Sequence, residues 1–122
     1  MQHDPAFEQL VNEIRPHINE CTIHDIKKRL DNNESFVLID VREDHEWTQS
    51  HIPQAIHIGR GIIERDIGAT VTDKNTEIVL YCGGGFRSAL SAYNLKKMGY
   101  TNVTSMDGGV RAWKEALYSL SN

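Results

Sequence analysis

The sequence predicts an α/β domain with a central, mainly parallel sheet of about five strands flanked by helices on both faces. Three observations point there. Phe36-Val37-Leu38-Ile39 and Ile78-Val79-Leu80-Tyr81 are short apolar runs without alternation. Strands of that kind are buried on both faces, as parallel strands under helices are. Segments with helical spacing alternate with strand-like runs along the chain. Finally, 122 residues, 39% hydrophobic and 25% charged, have the balance of an ordinary folded globule and enough length for one core.

Asp4-Pro5 opens the first helix, with Asp as N-cap and Pro at the first helical position. Phe7, Leu10, Val11 and Ile14 then recur at helical spacing, and Pro16 ends the run by excluding its predecessor from the helical region. A short strand is expected at 18–21. Thr22 with Asp25 forms a capping box that uses Asp in place of Glu or Gln; Ile23, Ile26 and Leu30 make the stripe of the second helix. Asp31-Asn32-Asn33 is a turn, followed by the first buried strand. Helices are expected at 43–47, 62–67, 87–98 and 110–117, and shorter strands at 55–58 and 103–106. Gly99 closes the helix before it, with Lys96 and Lys97 in the last turn where cations suit the dipole. Trp47 and Trp113 are expected in the core.

Charge and composition exclude several function classes. The formal net charge of −4 gives no global field for nucleic acid or anionic lipid. Two cysteines, Cys21 and Cys82, make neither a disulfide framework nor a zinc ribbon, and the six histidines form no i, i+4 pair, so no metal is expected. The acidic N-terminal segment does not read as a signal peptide, and no apolar run is long enough to span a membrane. The expected setting is reducing and cytoplasmic. Cys21 is read as an idle thiol; the alternative is that it resolves a sulfur species on Cys82.

The chemistry concentrates in Tyr81-Cys82-Gly83-Gly84-Gly85-Phe86-Arg87-Ser88. A buried strand ends at Tyr81 and a helix begins near Phe86 or Arg87. Ligands bind at the carboxyl ends of strands in α/β sheets. Consecutive glycines let the backbone curl so that several N–H groups aim at one point, and the helix N-terminus adds its positive end. A sulfur at that point is favoured as thiolate by the amides, the helix and the Arg87 guanidinium, and the thiolate is the nucleophile. Ser88 adds a hydroxyl. The alternative is structural: a tight glycine turn after a small buried cysteine. Asp40 and Arg42 are expected to form an ion pair that fixes a neighbouring loop. Glu46 and His51 are expected to form a local hydrogen-bonded pair. Asp107 is expected to be a turn and helix-cap residue.

The run from Cys82 to Ser88 resembles the active-site loop of rhodanese domains, which have Cys, then Gly three positions on, then Arg-Ser at five and six. Leu38-Ile39-Asp40-Val41-Arg42 is similar to that family's first strand and its exit. Glu46-Trp47, His51-Ile52-Pro53 and Ala55-Ile56-His57-Ile58 resemble its second signature, and Met106-Asp107-Gly108-Gly109 with Trp113 its closing one. The resemblance implies one rhodanese-like domain in residues 1–122, with the family region at about 20–120 behind an N-terminal helix at about 5–15.

It also implies a thiosulfate sulfurtransferase. Cys82 takes the outer sulfur of a donor such as thiosulfate as a persulfide and yields it to cyanide or a thiol. Backbone amides from Gly83, Gly84, Gly85, Phe86, Arg87 and Ser88 steady the persulfide, Arg87 positions the donor anion, and Asp40 and Arg42 support the site. No cofactor is implied. The partners implied are a small anionic sulfur donor, a thiol acceptor and a sulfur-accepting protein. The sequence departs from the family at Ser50 and Gln54, where glycine is common. Its active loop also lacks the lysine of some thiosulfate-preferring relatives.

Two rival readings are kept. Cysteine-dependent phosphatases have five residues between Cys and Arg, where four stand here, and some rhodanese-like domains serve as binding modules or sulfur carriers.

Overall fold

Two apolar strands side by side set the middle of the molecule. In the computed structural model, which describes residues 2–122, β2 (Val37–Asp40) and β4 (Ile78–Tyr81) pair in parallel, Val37 opposite Ile78 and Asp40 opposite Tyr81. Around them lie β1 (Asn19–Cys21), β3 (Ile56–His57) and β5 (Val103–Met106). All pairings between these five strands are parallel and the order is β1-β5-β4-β2-β3. Parallel neighbours need crossover connections, and helices supply them. These are α2 (Ile23–Asp31), α3 (Asp44–Gln49), α4 (Ile63–Thr70) and α5 (Phe86–Lys97). At the two ends of the chain lie α1 (Pro5–Ile14) and α6 (Gly109–Glu115).

The lack of alternation in β4 has the expected cause. Ile78 and Leu80 point to one face, under Ile63, Ile67 and Leu95 from α4 and α5. Val79 and Tyr81 point to the other, under Ile23, Ile26, Val110 and Trp113 from α2 and α6. All four β4 residues are buried. A third layer forms where Val11 and Ile14 of α1 close over Ala89 and Leu90 of α5. The Asp4 carboxylate accepts from the Phe7 amide, and the Thr22–Asp25 capping box is reciprocal, so both predicted helix starts are made by the expected atoms. Gly99 adopts φ +101 after α5, as its closing role requires.

Two apolar side chains of these elements lie differently from expectation. Leu10 lies in the apolar stripe of α1 yet is exposed, because α5 covers only the Val11–Ile14 side. Trp47 is half-buried instead of core: its indole is sandwiched between His51 (centroids 3.6 Å apart) and His57 (5.1 Å). Gln54 holds φ +74, a left-handed conformation in which glycine would be less strained. Among the described residues, no helix is long and apolar enough to cross a membrane.

Candidate active site

The connection after β2 leaves toward β3, and the one after β4 leaves toward β5. A crevice therefore opens between the carboxyl ends of β2 and β4, where ligands bind in open α/β sheets. Cys82 is the first residue beyond β4.

Its sulfur is met by main-chain donors. The Gly85 amide lies 3.1 Å from Sγ and the Ser88 amide 3.4 Å. Ser88 Oγ is 3.6 Å from Sγ and 2.8 Å from the hydroxyl of Ser105 on β5. Ser88 and Ser105 are both fully buried. When the sulfur is a thiolate, Ser88 donates to it and can accept from Ser105, a two-hydroxyl relay away from water. The main-chain donors are thus fewer than the loop-wide ring expected from sequence: two amides, joined by one hydroxyl and by the Arg87 guanidinium, which also interacts with the sulfur. Gly85 reaches its place with φ +107, which side chains rarely adopt. Cys82 is only 1% exposed, and apolar neighbours share its side of the sheet. The sulfur therefore has polar donors on the loop side and hydrocarbon behind it.

The loop is riveted to the start of α6. Val110 N donates to Cys82 O at 2.9 Å, Arg111 N to Gly83 O at 2.9 Å, and Gly108 N to Gly84 O at 3.2 Å. Three successive carbonyls are thereby turned away from the sulfur, which leaves the amides free to face it. Asp107 stands in the turn before α6, but Gly108 occupies the cap position and the Asp107 side chain makes no cap bond. It lies instead against Gly85, facing Arg15 at 3.7 Å.

Arg87 does not stand free. Its guanidinium makes a two-pronged bond to Glu46 on α3, 2.7 and 3.0 Å. The pair bridges the crevice from the β2 side to the β4 side. Glu46 therefore partners Arg87 and not His51, whose Nδ1 lies 3.1 Å from the Trp47 carbonyl. Hydrogen bonds from Arg87 hold the Glu46 carboxyl down to about 2. That shift has a consequence for stability. The folded value lies below the unfolded one of about 4.3, so the stabilisation is complete above about pH 5 and lost as pH falls toward 2. The melting temperature of Glu46→Gln is expected to fall less steeply than that of the parent across this window. Equal slopes would show the pair contributes nothing.

Asp40 and Arg42 form the expected ion pair, both buried. Arg42 Nη2 donates to Asp40 at 2.8 Å and to the Ser50 carbonyl at 2.6 Å, pinning the end of α3. They stabilise the β2 side of the crevice; neither is bonded to the Cys82 loop.

Cys21 and Cys82 cannot bridge. Cys21 packs on the α2/α6 side of the sheet and Cys82 on the α4/α5 side. β5 stands between their strands, so two strand spacings of about 4.8 Å separate them, beyond disulfide reach. Burial pushes the Cys21 thiol up to about 12, with the nearby Asp25 charge adding to it. In folded Cys82→Ser protein at about pH 8, iodoacetamide is expected to leave Cys21 almost unmodified, with one addition after denaturation. Equal labelling before and after would contradict this.

Ser105 and Arg111 were not singled out from sequence. Ser105 carries one signal, a hydroxyl in an otherwise buried strand. Arg111 carries none, since only the docking of α6 brings it to the loop.

A family model for the rhodanese-like domain matches residues 22–116. The chain is 36% identical over 97 residues to a putative sulfurtransferase of Bacillus subtilis, YtwF, covering 80% of this chain and 91% of that protein. It is 35% identical over 96 residues to a putative sulfur carrier protein of the same organism, YrkF. That match covers 79% of this chain but 51% of the relative, so the chain spans about half the length of that relative. The solved structure of a Rhodopseudomonas palustris protein of unknown function, described as a possible tyrosine phosphatase, superposes with a TM-score of 0.84. The match covers 99% of this chain and 98% of that one at 25% identity. With a family model over most of its length and relatives above 30% identity, the chain belongs to the rhodanese-like domain family, whose members here are sulfurtransferases and sulfur carriers.

Proposed function

We propose that the protein is a thiosulfate sulfurtransferase that works through a persulfide on Cys82. The Cys82 thiolate attacks the outer sulfur of thiosulfate. A sulfur–sulfur bond forms to Sγ, the one inside the donor breaks, and sulfite leaves with the bonding pair. Cyanide or a thiolate then attacks the terminal sulfur, taking it away and returning Sγ as a thiolate. Splitting the transfer in two is ordinary covalent catalysis.

The observation that carries this reading is the pair of amides, Gly85 and Ser88, aimed at Sγ. Fixed dipoles of this kind stabilise negative charge without reorganising during the reaction. They serve the thiolate before loading and the persulfide after it. The near-complete cover over Cys82 favours slender reactants, such as cyanide or the end of a sulfane chain, over a tetrahedral phosphoryl group. Four residues between Cys82 and Arg87 favour the same choice. A cysteine left unpaired to carry sulfur suits a reducing, cytoplasmic setting. A protein acceptor is a further candidate, since one relative is described as a sulfur carrier.

Thiocyanate formation from thiosulfate and cyanide tests the reading, run beside hydrolysis of an aryl phosphate. Thiocyanate turnover with no phosphate release is expected. Phosphate release without thiocyanate would establish the phosphatase reading in its place.

A further inference from the structure

Each glycine of the loop lies beneath a charged side chain. A Cβ on Gly83 would stand 3.0 Å from Arg87 Nη2, one on Gly85 2.9 Å from Asp107 Oδ1, and one on Gly84 3.2 Å from Arg111 Nη1. The first two charges face partners: Arg87 holds Glu46 and also interacts with the Cys82 sulfur, and Asp107 faces Arg15. Arg111 is different. It is exposed, and among the described residues no carboxylate lies within ion-pairing distance of its guanidinium and no side-chain hydrogen bond uses it. Its backbone is not loose, because its amide is bonded to Gly83 O.

We propose that Arg111, rather than Arg87, captures the anionic part of the sulfur donor at the mouth of the Cys82 loop. This rests on the sulfur-transfer reading above. An arginine already bound by two prongs to a carboxylate must give up that partner before it can take another, and bidentate pairs are the strong ones. Arg111 has no such competitor. Summing the short links from Sγ through Gly85 N and Gly84 to the guanidinium bounds the separation at about 10 Å. The Arg111 charge therefore lies within about a Debye length of the sulfur, near enough to attract a dianion that approaches the loop. The effect belongs to capture: it draws a charged donor in, while the amides at Sγ act on the transfer itself. Arg111 is then a binding residue of the donor step, and the loop needs no lysine of its own.

The test is steady-state kinetics with two donors of different charge, thiosulfate and the neutral dimethyl trisulfide, at fixed cyanide. For Arg111→Ala, KM for thiosulfate is expected to rise roughly twofold to fivefold with kcat essentially unchanged, the size of one exposed charge contact. KM for the neutral donor should be unchanged. Arg111→Lys should recover most of the loss, and the thiosulfate kcat/KM of Arg111→Ala should depend less on ionic strength than that of the parent. An unchanged thiosulfate KM overturns the proposal. So does an equal loss with both donors, which would make Arg111 a prop for the loop. A parent that takes sulfur from neither donor defeats the sulfur-transfer reading itself.

Discussion

Replacing Cys82 with serine is expected to lower thiocyanate formation on the order of 10⁴-fold or more, the scale of losing a covalent nucleophile in other enzymes, while the protein stays folded. Serine is smaller than cysteine, so the site is not overpacked. The Gly85 and Ser88 amides, 3.1 and 3.4 Å from Sγ, would still find an acceptor in the hydroxyl oxygen. The hydroxyl is nevertheless a poor nucleophile without a base to take its proton, and no oxygen–sulfur adduct replaces the persulfide. Loss of activity with an unchanged melting temperature separates chemistry from structure. Retained turnover would mean that sulfur passes through another group.

Gly109→Ala is expected to have the largest effect on the fold of the site. A Cβ there would lie well inside contact distance of the Cys82 carbonyl oxygen, and 2.7 Å from both the carbon and the oxygen of Gly83. These are backbone atoms of the active loop and cannot turn aside. The residue also holds φ +54, a conformation that costs L side chains about a kcal/mol or more. Adding overpacking of about 1–3 kcal/mol gives a loss of roughly 3 kcal/mol. For a domain of this size that lowers the melting temperature by roughly 10 °C. The hydrogen bonds from Val110 and Arg111 to Cys82 O and Gly83 O would break first, so sulfur transfer should fall even where the protein remains folded. Parent-like melting and turnover would show that the loop does not depend on its contact with α6.

Much of this was legible in the sequence because it depends on local chemistry. Asp4 before Pro5, Thr22 with Asp25, and Gly99 after a lysine pair are short-range signals that act within one helical turn. The buried runs at Phe36–Ile39 and Ile78–Tyr81 announced their strands because both faces must be covered. The Cys82 loop was legible for the same reason: strand, glycines and helix are consecutive, so the amides that reach the sulfur lie three and six residues away.

What escaped was the pairing of elements distant in the chain. Glu46 and Arg87 are 41 residues apart, whereas sequence ranks near partners such as His51 first. Asp107 has the residue type and place of a cap, yet the glycine after it takes that position. Large aromatics usually go to the core, but Trp47 is held by two imidazoles stacked on it instead. Arg111 lies beside Gly84 only because α6 docks on the loop through three main-chain bonds, which no spacing in the sequence encodes.

The measurement that bears most directly on the sulfur at residue 82 is intact mass after brief mixing with thiosulfate and removal of excess donor. The parent is predicted to gain the mass of one sulfur atom, to lose it again on adding cyanide, and to gain nothing as Cys82→Ser. A parent that gains no sulfur from thiosulfate, polysulfide or a small-molecule persulfide, or a serine variant that gains as much as the parent, would contradict the account.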